Sequence, residues 1–220
     1  MSAPEPIPVA SARPAATVVV VREPGFEVLL LRRSEVGAFA GLWVFPGGRV
    51  DDDDTGTDDL TRAASAAVRE AREEVGLRLD PGSLTVWSHW TPPAIAPKRF
   101  TTWFFVASWA GDDVVLDGHE IVEHRWLHPA EALAASLPMA PPTIVTLHEL
   151  CHAGSLAAVR RRREPPAYVT RPARAADGTA VLLWAGDAGY ESGDPDLPGP
   201  RNRLWMPDGL SGPRSRYERA

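Results

Sequence analysis

The sequence predicts an α/β fold. Three observations carry that reading. Short β-rich runs recur between proline and glycine breaks, one long stretch changes to a helical apolar period, and 44% of the 220 residues are apolar, enough to fill a core. Residues 1–14 hold Pro4, Pro6, Pro8 and Pro14 with few large apolar groups and read as a loose leader. Residues 16–21 and 27–31 read as strands, separated by the turn pair Pro24-Gly25. Residues 37–48 mix glycine with Phe39, Leu42, Trp43, Val44 and Phe45. They end on Pro46-Gly47-Gly48, a loop whose backbone can approach a ligand closely.

From residue 60 to 75 the pattern is helical. Ala63, Ala64, Ala67, Val68, Ala71 and Val75 share a face, with Asp58 or Asp59 as N-cap and Gly76 as stop. Strand patterns return at 84–90, 100–110 and 121–127. Pro129 then opens a short helix to residue 135, and Pro141-Pro142 open a longer one over about 143–153. Beyond Arg163 a hairpin is expected to pair 167–170 with 180–184 across Asp177-Gly178. After Gly186, glycine, proline and charge predict an irregular tail that wraps the domain or a partner subunit, which leaves a homodimer open.

Composition narrows the partners. With 29 acidic and 23 basic side chains the formal net charge is −6, so the chain lacks the basic stripe that a nucleic-acid polymer requires. One cysteine, Cys151, cannot form an internal disulfide and asks for no oxidising compartment. The apolar run 17–21, flanked by Arg13 and Arg22, is too short for a signal peptide or membrane span. A cytoplasmic protein with no membrane contact is the expectation. Lys98 is the only lysine, and the 22 prolines are about twice the usual ~5% share.

The stretch Arg69-Glu70-Ala71-Arg72-Glu73-Glu74-Val75-Gly76-Leu77 carries the chemistry. Glu70, Glu73 and Glu74 fall within roughly 100° of one another on a helix, beside the alanine face. Like charges at these spacings destabilise an isolated helix. A hard divalent cation that prefers carboxylate oxygen would compensate them. A solvated helix face is the plainer alternative for three glutamates alone.

Pro46-Gly47-Gly48, an acidic loop, and then Arg-Glu-x-x-Glu-Glu-x-Gly-Leu resemble the Nudix hydrolase signature, G-x5-E-x7-R-E-U-x-E-E-x-G-U. The resemblance covers roughly residues 15–135. It implies an α/β/α sandwich with a mixed sheet over residues 15–165, followed by a C-terminal extension over 166–220. The implied activity is hydrolysis of a nucleoside diphosphate linked to another group X, with Mg²⁺ or Mn²⁺ as cofactor and a small-molecule nucleotide diphosphate as substrate. Bound cations would supply the positive charge that an acidic protein lacks toward a diphosphate.

The pattern also departs from the signature. Counting from Gly48 puts the first acid on Asp54 and the arginine on residue 62, yet the matching arginine is Arg69. Seven residues are inserted, and the first acidic slot stays open among Asp51, Asp52, Asp53 and Asp54. A calcium-loop reading of that run fails because Arg62 stands at its twelfth position.

Carried over residue by residue, the resemblance implies Glu73 and Glu74 as main metal ligands and Glu70 as a further ligand or the base that activates water. Arg69 would orient the carboxylates, and the Gly48 backbone would add a carbonyl ligand. Glu120 or Glu123 would be the later acid, with Glu120 favoured. Arg32-Arg33-Ser34, the insertion, Pro97-Lys98-Arg99-Phe100 and Pro141-Pro142-Thr143 are similar to the coenzyme A diphosphatase branch, although Thr101 replaces an expected Asp. Arg33, Lys98 and Arg99 are candidate phosphate contacts and Trp43 a base-stacking group. Trp90 and Trp103 are alternatives for stacking. CoA or acyl-CoA leads as substrate, with ADP-ribose or NADH behind.

Two rival functions remain. A Nudix fold that only binds its ligand is disfavoured by the intact Glu70, Glu73 and Glu74. His148-Glu149-Leu150-Cys151-His152 matches the H-E-x-x-H zinc peptidase pattern. Its extended form fails at Ser155, and Glu164 and Glu191 are poor third ligands. Core or surface histidines are the simpler reading, with Cys151 packed between them.

Overall fold

The computed structural model describes residues 12–37, 39–96, 99–111, 114–209, 212 and 214–220. Strand β1 (Arg13–Arg22) is the axis of the sheet. It pairs antiparallel with β2 (Glu27–Arg33) and β4 (Gly47–Arg49), and parallel with β6 (Phe100–Ser108). Beyond β2 lie β3 (Trp43–Val44) and β7 (Ile121–Leu127); beyond β6 lie β5 (Thr85–Thr91) and β8 (Ala167–Val169). The described residues thus form a mixed eight-stranded sheet.

Strand alternation divides the core. Ala16, Val18, Val20, Leu29, Leu31, Phe105 and Ala107 face helix α1 (Asp59–Val75), whose Ala63, Ala67, Ala71 and Val75 bury against them. Small alanines let this helix lie close to the sheet. Val19, Val21, Val28, Leu30, Phe104 and Val106 face the opposite way. They pack with the α2 (Pro129–Ala134), α3 (Pro141–Ala153) and α4 (Leu156–Arg161) side of the molecule, including Ala132, Leu147, Leu150 and Val159. The two-faced helix packing on a mixed sheet is as expected.

The N-terminus of α1 has the expected cap. Asp58 accepts a bond from Thr61 N at 2.8 Å, while Thr61 Oγ1 accepts from Asp58 N at 3.1 Å. Gly76, at φ +74°, ends the helix in the left-handed conformation.

Three expectations are corrected. Arg13 and Pro14 belong to β1 rather than to a leader, and residues 1–11 lie outside the described residues. Residues 167–169 do not form the predicted hairpin; they extend the main sheet alongside β5. The hairpin instead joins β9 (Arg171–Arg174) to β10 (Ala180–Leu183). The segment beyond Gly186 is not wholly irregular. It contains β11 (Asn202–Met206) and β12 (Arg216–Arg219), which complete an antiparallel sheet in the order β12-β11-β10-β9. Leu182, Trp184, Leu204 and Met206 join this sheet to the core on the α3 side.

Candidate active site

Loop 46–48 and α1 meet beside β1. Val18 N donates to the Pro46 carbonyl at 2.9 Å, and Gly47 and Gly48 pair with Thr17 and Ala16. Both glycines sit at a close approach, Gly47 against backbone and Gly48 against a side chain. A Cβ on Gly47 would lie 2.4 Å from the Ala16 carbonyl oxygen; one on Gly48 would lie 2.2 Å from Glu70 Oε1. The loop therefore delivers its backbone directly to the glutamates of the helix.

Arg69 is the hub. Its Nε and Nη2 donate to Asp54 Oδ1 and Oδ2 at 3.0 and 3.1 Å, and its Nη1 donates to Glu70 at 2.9 Å and Glu73 at 3.0 Å. Nη2 also donates to the Arg49 carbonyl at 3.0 Å. Of the four aspartates only Asp54 is buried; Asp51, Asp52 and Asp53 are exposed. Burial pushes the Asp54 carboxyl up, but the Arg69 bonds and the Asp51 N–H together hold it below the usual range. The insertion is close to two helical turns, so Arg69 keeps the face that Arg62 presents. Arg62 grips the same loop from below, donating to the Asp54 and Asp51 carbonyls at 3.1 and 3.0 Å.

A second arginine serves the other half. Glu74 is buried, accepting from Gly47 N at 3.0 Å and from Arg33 Nη1 at 3.3 Å. Arg33 Nη2 donates to Glu120 at 2.6 Å. Arg33 therefore fastens Glu120 to Glu74, on strands and helix far apart in sequence. Burial pushes the Glu74 carboxyl up to about 8; the Gly47 N–H and Arg33 oppose this, and the Glu70 and Glu120 charges add to it. Glu70 is likewise raised, first by burial and against the pull of Arg69.

Asp117, which the sequence reading passed over, orders the approach to Glu120. Its carboxylate accepts from the backbone N–H groups of His119, Glu120 and Ile121 at 3.1, 3.2 and 3.0 Å. The Asp117-Gly118 pair was the available signal, since such pairs cap turns.

Glu70, Glu73, Glu74, Arg69, Gly48, Glu120 and Arg33 are thus gathered at one place. Trp43 is not available for stacking: it is 3% exposed in the core, with the Arg125 guanidinium 4.7 Å over its ring. Trp90 is also buried, stacked on Tyr168 with 4.0 Å between centroids. Arg99 lies half-buried ahead of β6, donating to the Pro92 carbonyl at 3.5 Å. Lys98 lies outside the described residues.

The H-E-x-x-H segment is on α3, but its glutamate is engaged. Glu149 is buried and accepts from the Tyr168 hydroxyl at 2.6 Å, Arg219 at 2.7 Å and Arg162 at 3.2 Å. A carboxylate with three such donors is a structural counter-ion and not a base waiting for water. His152 Nδ1 is held 2.8 Å from the His148 carbonyl oxygen. The zinc peptidase reading fails on this network.

The NUDIX domain model matches residues 12–149, more than half of the chain. The chain belongs to the Nudix family. It is 32% identical over 130 residues to the CTP pyrophosphohydrolase of Escherichia coli (strain K12), covering 59% of this chain and 86% of that protein. A Nudix hydrolase from Alicyclobacillus acidocaldarius matches at a TM-score of 0.61 and 25% identity, covering 69% of this chain and 96% of its own. The NUDIX domain of Shewanella oneidensis NrtR, solved with ADP ribose, shares the fold at a TM-score of 0.54 and 15% identity, over 66% and 90% of the two chains. The fold is the Nudix fold, and the protein is a Nudix pyrophosphohydrolase acting on small nucleotides.

Nudix enzymes generally require a divalent metal ion, and the donor set fits one. Its donors are hard carboxylate oxygens, and burial, with neighbouring glutamate charges adding to it, raises the proton affinity of Glu70 and Glu74, so a cation there would offset the cost of keeping them ionised. Among the described residues no three acidic, histidine or cysteine side chains already converge as a metal cage. Arg69 and Arg33 partner the carboxylates instead. Among the described residues no helix is long and apolar enough to cross a membrane.

Proposed function

We propose that this Nudix enzyme cleaves the diphosphate of CoA or acyl-CoA, releasing adenosine 3′,5′-bisphosphate and a phosphorylated half that carries the thiol or its acyl thioester. The observation that carries the site assignment is the pair of arginine hubs, which set Glu70 and Glu73 on Arg69 and Glu74 and Glu120 on Arg33. In this reading Glu73 and Glu74 hold Mg²⁺ or Mn²⁺, with Glu70, Glu120 and the Gly48 carbonyl as further donors. The bound ion would supply Lewis-acid polarisation and lower the pKa of a coordinated water. Glu70, whose carboxylate lies where a Cβ on Gly48 would fall, would serve as the proton acceptor in this reading. Arg69 keeps the two carboxylates oriented, and Arg33 offers positive charge toward the phosphates.

The CoA preference rests on Arg32-Arg33-Ser34, the insertion before Arg69 and the Pro141-Pro142-Thr143 helix start. A second reading, hydrolysis of a nucleoside triphosphate such as CTP, is favoured by the 32% identical relative of that name. A panel of CoA, acyl-CoA, ADP-ribose, NADH and CTP with Mg²⁺ or Mn²⁺, read by released nucleotide, decides between them. CoA as the best substrate by kcat/KM supports the first reading and CTP the second. No release from any would favour a Nudix fold that only binds its ligand. A cytoplasmic location, a homodimer and a division at about residue 165 between domain and extension belong to the same proposal.

A further inference from the structure

The outward face of α1 carries an open groove of about 580 Å³, lined by Ser65, Val68, Arg69, Arg72, Glu73 and Pro81. That volume lies within the range of small-molecule sites. The lining follows helix spacing, i, i+3, i+4, i+7 and i+8, closed by the proline that opens the 3-10 turn Pro81–Ser83. It shares Arg69 and Glu73 with the carboxylate cluster, so the groove borders the site.

Its polar groups are accounted for, with one exception. Ser65 Oγ donates to the Thr55 carbonyl at 2.7 Å, and Arg69 and Glu73 pair with each other at 3.0 Å. Arg72 is exposed and has no ion-pair or hydrogen-bond partner for its guanidinium among the described residues. Val68 and Pro81 give the groove an apolar floor. A cationic edge over an apolar floor suits a phosphorylated organic group, because guanidinium binds phosphate by two parallel bonds.

We propose that this groove binds a phosphate of the substrate that is not part of the scissile linkage, with Arg72 as its specificity-determining residue. For a CoA-type substrate, on whose assignment this rests, that group is the 3′-phosphate of the adenosine half. A nucleoside triphosphate has no 3′-phosphate, so a 3′-phosphate preference in the groove would separate the CoA reading from the CTP reading. The competing role for Arg72 is structural, since a cation in the last turn of α1 complements the helix dipole. That role would alter stability and leave ligand preference untouched.

The test uses the full-length protein and needs no turnover. Calorimetry compares adenosine 3′,5′-bisphosphate with 5′-AMP in wild type and Arg72→Gln, with thermal unfolding of both as the fold control. The expected result is about tenfold tighter binding of the bisphosphate by wild type, falling to near parity in Arg72→Gln. Equal affinities in wild type, or a preference retained in Arg72→Gln, would overturn the proposal. In parallel, KM for CoA against dephospho-CoA should show the same ratio and the same loss, with kcat within twofold. Failure to hydrolyse either compound would count against the CoA reading alone, because the calorimetric comparison still reads the groove.

Discussion

Asp54 and Arg69 face each other through two parallel hydrogen bonds, Nε to Oδ1 at 3.0 Å and Nη2 to Oδ2 at 3.1 Å, across fifteen residues of sequence. This fork makes Asp54 the acid of the loop that is tied to the glutamate helix. Asp51 makes a longer, exposed contact with the same guanidinium at 3.5 Å, and Asp52 and Asp53 stand exposed beside it. Replacing Asp54 by Ala should remove roughly 2 kcal/mol of stability, between the values for buried and exposed pairs, because Arg69 is partly solvated. Asp52→Ala should stay within about 0.5 kcal/mol of wild type. Urea unfolding of the two variants checks this, and equal losses would remove Asp54 from its assigned position.

The two loop glycines should separate stability from activity. A methyl group on Gly47 meets the Ala16 carbonyl oxygen, which is backbone, so Gly47→Ala should lower Tm. On Gly48 it meets the end of the Glu70 side chain, which can rotate away. Gly48→Ala should therefore keep most of the wild-type Tm and lose kcat. Circular dichroism melts with nucleotide-release assays measure both, and the reverse pattern would contradict the placement of Glu70.

Glu149 should matter for folding and not for chemistry. Its replacement by Ala leaves Arg162, Arg219 and the Tyr168 hydroxyl without their shared acceptor, a loss of about 3 kcal/mol for a buried ion pair. The C-terminal strand β12, which carries Arg219, should become protease-sensitive in that variant. Limited proteolysis followed by mass spectrometry reads the effect. A zinc-dependent peptidase activity lost in His148→Ala would instead restore the rejected reading.

His148 gives a pH dependence. Burial first, and the neighbouring His152 second, lower its proton affinity below the usual 6.5. Tyr217 faces it with ring centroids 5.5 Å apart. A histidine with a depressed folded pKa contributes stability that is complete above its unfolded value and is lost as pH falls through the folded one. The His148 contribution should therefore fall on acidification below about 6.5, against the opposite contribution of Glu74, whose raised carboxyl favours the folded state as pH falls through about 8. His148→Gln should remove the His148 part, read as the difference in slope from wild type. Chemical denaturation at several pH values between 5 and 8 would show it, and an unchanged slope would remove His148 as its source.

Much of this was legible in the sequence where a period or a spacing carried it. The alanine face, a cap at Asp58 or Asp59 and the Gly76 stop marked α1; helix geometry put Glu70, Glu73 and Glu74 on one arc, and the family resemblance gave them their roles. Counting from Gly48 pointed to Asp54 but left the slot open among Asp51 to Asp54, because which aspartate meets Arg69 depends on how the loop folds back. Trp43 shows the opposite failure: a tryptophan beside a glycine loop resembles a binding platform, and only burial places it in the core. Strands β11 and β12 were hidden by the glycine and proline around them. Their pairing partners lie in β10 and in each other, information that no local window contains. Phe39, exposed at φ +59°, has no account in these terms.

The central claim is that the α1 carboxylates support metal-dependent diphosphate hydrolysis. The most direct measurement is nucleotide release from CoA and CTP by wild type, Glu73→Gln and Glu74→Gln with Mg²⁺ or Mn²⁺, beside thermal unfolding of each protein. Wild type should turn over one of them only with metal present, and both folded variants should lose at least about a hundredfold in kcat. Wild-type turnover by a folded Glu73→Gln or Glu74→Gln protein would contradict the account.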